Sequence, residues 1–252
     1  MNPYIKNLNR IEFIITYACT GKCKHCSESD LRKNGGNLAA YNAIFALEQI
    51  NSVFPLQSVM TFGGEPLLFP NTVIAIHNAA KKANIPKRQL ITNGYFSTDV
   101  NIIKTVAKNI AESGVNDILI SADAFHQETI PLKYVLCFTE NLLKNGANIV
   151  RVHPAWLVNK DDDNPYNLKT KEILKKFEPL GILPSNGNII FSAGNALKYL
   201  GEYFNKDTTY VNRYEQNPKN IRSVCIEPNG NFLNYNINDT NFLSKLNEYN
   251  PS

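Results

Sequence analysis

Short strand-like runs alternate with amphipathic stretches along most of this 252-residue chain, and the runs stop at polar or glycine-rich motifs. Ile11 to Tyr17 has strand character and delivers Cys19; Ser58 to Phe62 stops at Gly63-Gly64-Glu65-Pro66; Gln89 to Thr92 stops at Asn93-Gly94. Asp117 to Ser121 leads into Asp123, Asn148 to His153 carries Arg151, and Asn188 to Phe191 makes a short sixth strand ahead of Gly194-Asn195. Between them, Ala39 to Phe54 sets Ile44, Leu47, Ile50 and Phe54 on one helical face, and Asn71 to Ala83 is a second helix. Thr98 caps a third bearing Val100, Ile103, Val106 and Ile110, Pro131 opens a fourth bearing Val135 and Leu142, and Leu168 to Phe177 is a fifth. This alternation predicts parallel βαβ units, and six of them predict an α/β fold of the open, partial (β/α)6 TIM-like barrel kind. Reactive groups of such barrels gather at the C-terminal ends of the strands, where these motifs fall.

The remainder predicts a hairpin over residues 222 to 236, turning at Pro228-Asn229-Gly230, and a last helix from Asp239 to Tyr249. We expect residues 1–200 to form the core and 201–252 a hairpin and helix extension that is not an independent domain.

Three of the five cysteines, Cys19, Cys23 and Cys26, fall in the run Cys-Thr-Gly-Lys-Cys-Lys-His-Cys. A [4Fe–4S] cube usually takes four thiolates, so three in a loop with no local fourth predict a cluster with one iron left open. The same triplet fits half of a zinc site, with His25 as an optional ligand. An odd cysteine count with three crowded together fits a reducing compartment better than a disulfide framework.

Composition narrows the classes further. The hydrophobic share of 43% and charged share of 19% are ordinary for a globular protein, and no apolar run approaches a membrane span or a signal-peptide core. The expectation is a cytoplasmic protein with no membrane attachment. The net charge of +4 comes from scattered lysines, which does not indicate a nucleic-acid partner.

The CxxxCxxC spacing, with His25 before its last cysteine and the Gly63-Gly64-Glu65-Pro66 motif beyond, resembles the radical S-adenosylmethionine (SAM) superfamily over roughly residues 10 to 200. The resemblance implies that Cys19, Cys23 and Cys26 hold three irons of one [4Fe–4S] cluster, that SAM chelates the fourth, and that His25 lies against the adenine. It implies that Gly63, Gly64 and Glu65 meet the methionyl ammonium, that Thr92-Asn93-Gly94 and Ser121-Ala122-Asp123 contact ribose or carboxylate, and that Arg151 pairs with the SAM carboxylate. Gly194-Asn195-Ala196 stands where many relatives have Gly-Arg-Ala. The implied chemistry is reductive cleavage of SAM to a 5′-deoxyadenosyl radical that abstracts hydrogen from a substrate, with flavodoxin or ferredoxin as electron donor.

Ser121-Ala-Asp-Ala-Phe-His126-Gln and Cys225-Ile-Glu-Pro-Asn-Gly resemble the SPASM and twitch peptide maturases, although the cysteines that build auxiliary clusters there are missing. A ribosomally made peptide, epimerised or cross-linked, is therefore the expected substrate. A small-molecule step in cofactor or nucleoside biosynthesis is the alternative, and a non-catalytic iron–sulfur or zinc protein a third reading. His126 as proton donor and Cys225 as hydrogen donor are the candidate catalytic residues, each of which could equally be a packed structural side chain. Cys137 is expected to pack on its helix.

Overall fold

A computed structural model describes residues 2–33, 36–204, 215–239 and 241–251. In chain order it has β1 (Arg10–Ile14), α1 (Ala40–Val53), β2 (Ser58–Phe62), α2 (Pro70–Lys82), β3 (Lys87–Thr92), α3 (Val100–Glu112), β4 (Asp117–Ile120), the single turn α4 (Ala124–Gln127), α5 (Leu132–Lys144) and β5 (Val150–Val152). There follow β6 (Ala155–Trp156), α6 (Pro165–Leu174), β7 (Asn188–Ile189), α7 (Gly194–Leu200), β8 (Ser223–Ile226), β9 (Asn231–Phe232), β10 (Tyr235–Asn236) and α8 (Phe242–Asn247).

Six strands form one sheet in the order β5-β4-β3-β2-β1-β8, with every neighbouring pair parallel. Parallel pairing needs crossover connections, and the intervening helices supply them for β1 to β5. The result is the α/β, partial (β/α)6 barrel that the alternation predicts. Its two faces differ. Ile11 and Phe13 on β1 are fully buried and join the apolar core with Ile50, Ile76, Ile103, Ile110, Phe138 and Leu142 from α1, α2, α3 and α5. Burying each such side chain contributes roughly 1.5–3 kcal/mol.

The opposite face of the sheet carries a polar row among apolar side chains such as Met60 and Leu119. Arg10 bonds Glu12 at 2.5 Å and Gln89 at 2.7 Å, Gln89 donates to Asp117 at 2.7 Å, and Arg151 donates to Asp117 at 2.5 Å. This ladder crosses from β1 to β5. A polar row on one face of a parallel sheet whose other face is apolar marks the open side of the barrel, where a polar substrate can lie.

The sixth strand differs from the sequence expectation. Asn188–Ile189 pairs in parallel with Ala155–Trp156 in a separate two-stranded sheet, and Ser223–Ile226 takes the sixth place by pairing with β1, Cys225 opposite Glu12. The reason is burial: Val224 and Ile226 alternate into the core, whereas both residues of β7 are only half-buried. The hairpin is shorter than predicted, β9 against β10, and the Pro228-Asn229-Gly230 turn joins β8 to β9 through Glu227 N to Asn231 O at 2.8 Å. Helix α3 is capped by Asp99, which accepts from Asn101 N at 2.8 Å, rather than by Thr98. Thr240, within the expected last helix, and residues 205–214 of the expected extension lie outside the described residues. Among the described residues, no helix is long and apolar enough to cross a membrane.

Candidate active site

The chain leaving β1 runs directly over the Gly63-Gly64 turn at the end of β2. Gly64 N donates to Thr16 O and Glu65 N to Ala18 O, both at 2.8 Å. A Cβ on Gly64 would lie 2.1 Å from Ala18 O, and Gly63 has φ +139° with its Cβ position 2.5 Å from Thr16 O. Glycine is required there because two backbones cross in contact, and this crossing fixes where Cys19 begins its loop.

Glu65 is fully buried and spends both carboxylate oxygens inside the protein. Oε1 accepts from Leu67 N at 2.9 Å and from Thr92 Oγ1 at 2.7 Å, and Oε2 accepts from Asn93 N at 2.8 Å. Burial pushes its pKa up to about 7 against the pull of these donors. The ends of β2 and β3 are thereby tied together. Asn93 Nδ2, held by that tie, lies 3.3 Å from Thr20 Oγ1 and 3.5 Å from Cys19 Sγ.

The Cys19–Cys26 loop is also held from its other side. Lys22 N donates to Thr129 Oγ1 at 2.9 Å, and Lys24 pairs with Glu128 at 3.1 Å. Asn195, at the start of α7, donates its backbone N–H to Cys26 O at 3.0 Å and its side-chain amide to Cys23 O at 3.1 Å. Gly194 permits this approach, since its Cβ position is 2.4 Å from Ser27 O. The Gly194-Asn195-Ala196 motif thus braces the cysteine loop.

Asp123 organises a second cluster beside these thiols. It caps α4 through Phe125 N and His126 N, each 3.0 Å from Oδ1, while Oδ2 accepts from Ala155 N at 2.9 Å and lies 2.8 Å from His126 Nδ1. Burial alone would raise its carboxyl, but His126 and the backbone donors outweigh it and hold it well below the ordinary value. An ionised carboxylate only accepts, so His126 Nδ1 carries the proton and Nε2 is left to face outward from the pair. His25 packs against His126 with ring centroids 4.7 Å apart and against Phe125 at 5.1 Å. Burial, then His126, lowers its pKa to about 4, so His25 is a neutral ring at pH 7, with a buried Nδ1 that no group among the described residues meets.

Ser121 stands half-buried at the end of β4, its N–H bonded to Thr92 O at 2.8 Å, so the third and fourth strand ends are also joined. Arg151 is turned toward Asp117 on the polar ladder. Cys225 faces the same side of the sheet as Glu12, and burial, then Glu12, Glu227 and Glu28, push its thiol up to about 12. Tyr17, hydrogen-bonded to Glu227, is also raised, by burial first. Cys137 is half-buried on α5 and packs against the core.

Sequence reasoning missed Arg32. It sits in the short 3-10 helix Ser29–Lys33 and donates Nη1 to Gly21 O, so that its positive charge lies beside Cys26. Nothing in Ser-Asp-Leu-Arg-Lys separates it from a solvated surface arginine; only the fold-back of the loop does.

The three thiols suit a cationic cluster. Burial raises the Cys23 thiol strongly, and Asp123, Cys19 and Cys26 raise it further; burial is also the main cause of the rise at Cys19. Thiolates crowded together with one another are stabilised by the iron they bind.

A model of the Radical SAM superfamily matches residues 13–148, more than half of the chain, so the chain belongs to the Radical SAM superfamily. The superfamily uses a [4Fe–4S] cluster and SAM, which favours the cluster over the zinc reading of the cysteine triplet. The chain is 22% identical over 172 residues to GTP 3′,8-cyclase of Clostridium botulinum, covering 65% of this chain and 52% of that protein. With GTP 3′,8-cyclase of Clostridium perfringens the figures are 24% over 202 residues, 70% and 60%. The chain thus spans little more than half the length of these relatives. Among solved structures it is similar to Streptococcus suis SuiB bound to precursor peptide SuiA, with TM-score 0.56, 12% identity, and coverage of 91% of this chain and 60% of SuiB. It is also similar to anSMEcpe with bound AdoMet and Cp18Cys peptide, with TM-score 0.52, 17% identity, and coverage of 73% and 51%.

Proposed function

We propose that this radical SAM enzyme modifies a ribosomally made peptide laid along the polar face of the sheet, by epimerisation at an unactivated carbon. The observation that carries the reading is the meeting of Cys19, Asn93, Glu65 and the Gly63-Gly64 turn at one sheet edge, above a polar face that carries Cys225. When bound to Cys19, Cys23 and Cys26, the cluster supplies the electron that cleaves SAM to a 5′-deoxyadenosyl radical. The chain's own residues orient the reactants. Exposed backbone at Gly63, the side chain of Ser121 and the Thr92-Asn93 segment would meet SAM, and His25 would lie beside its adenine. Glu65 and Asp123, both fully buried, act by holding Asn93 and His126. Arg151, whose Nη2 donates to Asp117 and whose buried Nε has no partner among the described residues, is the candidate to meet the methionyl carboxylate or a peptide carboxylate.

Cys225 favours epimerisation over cross-linking. Its thiol stays protonated at neutral pH and lies on the open face, so it can give a hydrogen atom to a substrate carbon radical. The C–H bond forms as the S–H bond breaks, leaving a thiyl radical that one electron from a flavodoxin or ferredoxin and one solvent proton return to the thiol. His126, held through Nδ1 by Asp123, is the candidate proton donor as the imidazolium. The division into a 1–200 core and a 201–252 extension that is not an independent domain is part of the proposal, and the place of β8 in the main sheet supports its second half. The reducing cytoplasm is the compartment that suits such a cluster.

Peptide-bound SuiB and anSMEcpe support the substrate class, while the GTP 3′,8-cyclase relatives support a second reading, a small-molecule or nucleoside substrate. The test is incubation with a precursor peptide encoded beside this gene, and separately with nucleotides, in D2O, followed by mass spectrometry. The proposal expects one deuterium per modified residue in the peptide, and none in C225A, which still yields 5′-deoxyadenosine. Turnover of a nucleotide alone favours the second reading.

A further inference from the structure

The cysteine loop is contacted by two nitrogen donors from outside the motif. Asn93 Nδ2 lies 3.5 Å from Cys19 Sγ, fixed from behind by Glu65 through Asn93 N and from its own Oδ1 through Tyr95 N at 2.8 Å. Arg32, folded back from the helix after Cys26, donates to Gly21 O inside the loop, which brings its charge beside Cys26. We propose that Arg32 and Asn93 are a donor pair that sets the reduction potential of the cluster held by Cys19, Cys23 and Cys26.

The argument is electrostatic. Reduction adds one negative charge to a group already bearing three thiolates, and iron–sulfur potentials respond to net charge and to hydrogen bonds on the sulfurs. A fixed guanidinium beside one sulfur, anchored on Gly21 O, stabilises the reduced state more than the oxidised one. A neutral amide aimed at another does the same with less reach. The two donors also sit on independent supports, one in the loop's own continuation and one at the end of β3, so each can be removed separately. Arg32 touches no reacting atom in this account; it is a positioning residue that acts through Cys26.

This rests on the three cysteines being the cluster's ligands. The experiment is an EPR-monitored redox titration of the reconstituted full chain, without SAM, for wild type, R32Q, R32K and N93A, with iron and sulfide content measured on each sample. At a fixed ambient potential, the reduced-to-oxidised ratio in R32Q is expected to fall by about tenfold or more, a midpoint about 59 mV lower for one electron. N93A falls by less, and R32K, which keeps the charge, stays near wild type. Wild-type midpoints in fully loaded R32Q and N93A overturn the proposal, as does an R32K midpoint as low as that of R32Q. The two positions are tested separately, so loss of iron at one leaves the other to decide. A wild-type chain that loads no iron refutes the ligand assignment instead.

Discussion

The carboxylate of Glu65 accepts the backbone N–H of Asn93 at 2.8 Å, and through that one contact the end of β2 sets the side chain that stands beside Cys19. The pKa of Glu65 is raised from 4.5 to about 7 by burial. A carboxyl raised on folding binds more protons in the native than in the unfolded state between those values, so stability is fully present below the lower one and declines as pH rises to the upper. The urea midpoint of the apoprotein is expected to fall between pH 4.5 and about 7, and E65Q should remove this slope. An identical slope in E65Q would place the titrating group elsewhere.

Gly64 cannot carry a side chain without moving backbone, because its Cβ position is 2.1 Å from Ala18 O. G64A should cost about 1–3 kcal/mol, as overpacking does, and should lower iron retention because the displaced segment leads into Cys19. Thermal unfolding and iron analysis after reconstitution check both effects.

Asp123 works in the opposite pH direction. Its folded pKa lies below the ordinary 3.8, so its contribution is present above that value and lost as pH falls through the folded one. D123N removes the charge partner of His126 and should lower stability at pH 7 by about 3 kcal/mol. The difference between the acid denaturation curves of the two proteins should begin to narrow as pH falls below 3.8.

The Cys225 thiol, with a pKa of about 12, should be alkylated slowly. In a chain whose other cysteines are replaced, iodoacetamide at pH 8 should react at least about a hundredfold more slowly than with a free cysteine. Replacing Glu12 and Glu227 by glutamine should speed it.

What the sequence disclosed follows a physical division. Gly63-Gly64 was legible because its identity answers a local demand for a backbone without Cβ, and the proposed ligand set Cys19, Cys23 and Cys26 rests on a similar local demand for thiolates in one loop. The five strands β1 to β5 were legible for a similar reason, since each shows its own apolar pattern. The pairing of Ser223–Ile226 with β1 was not, because a four-residue strand takes its meaning from the edge it finds, and Pro228-Asn229-Gly230 pointed to a hairpin instead. Arg32, and the turning of Arg151 toward Asp117, escaped because a long cationic side chain shows its partner only after the chain has folded.

The central claim is that Cys19, Cys23 and Cys26 hold a cluster that cleaves SAM. The most direct measurement is anaerobic reconstitution with iron and sulfide, reduction with dithionite, and mass-spectrometric detection of 5′-deoxyadenosine from added SAM, beside the Cys19/Cys23/Cys26→Ala variant. The account predicts product from the wild type and none from the variant. A wild type that carries a complete cluster yet neither binds nor cleaves SAM would contradict it.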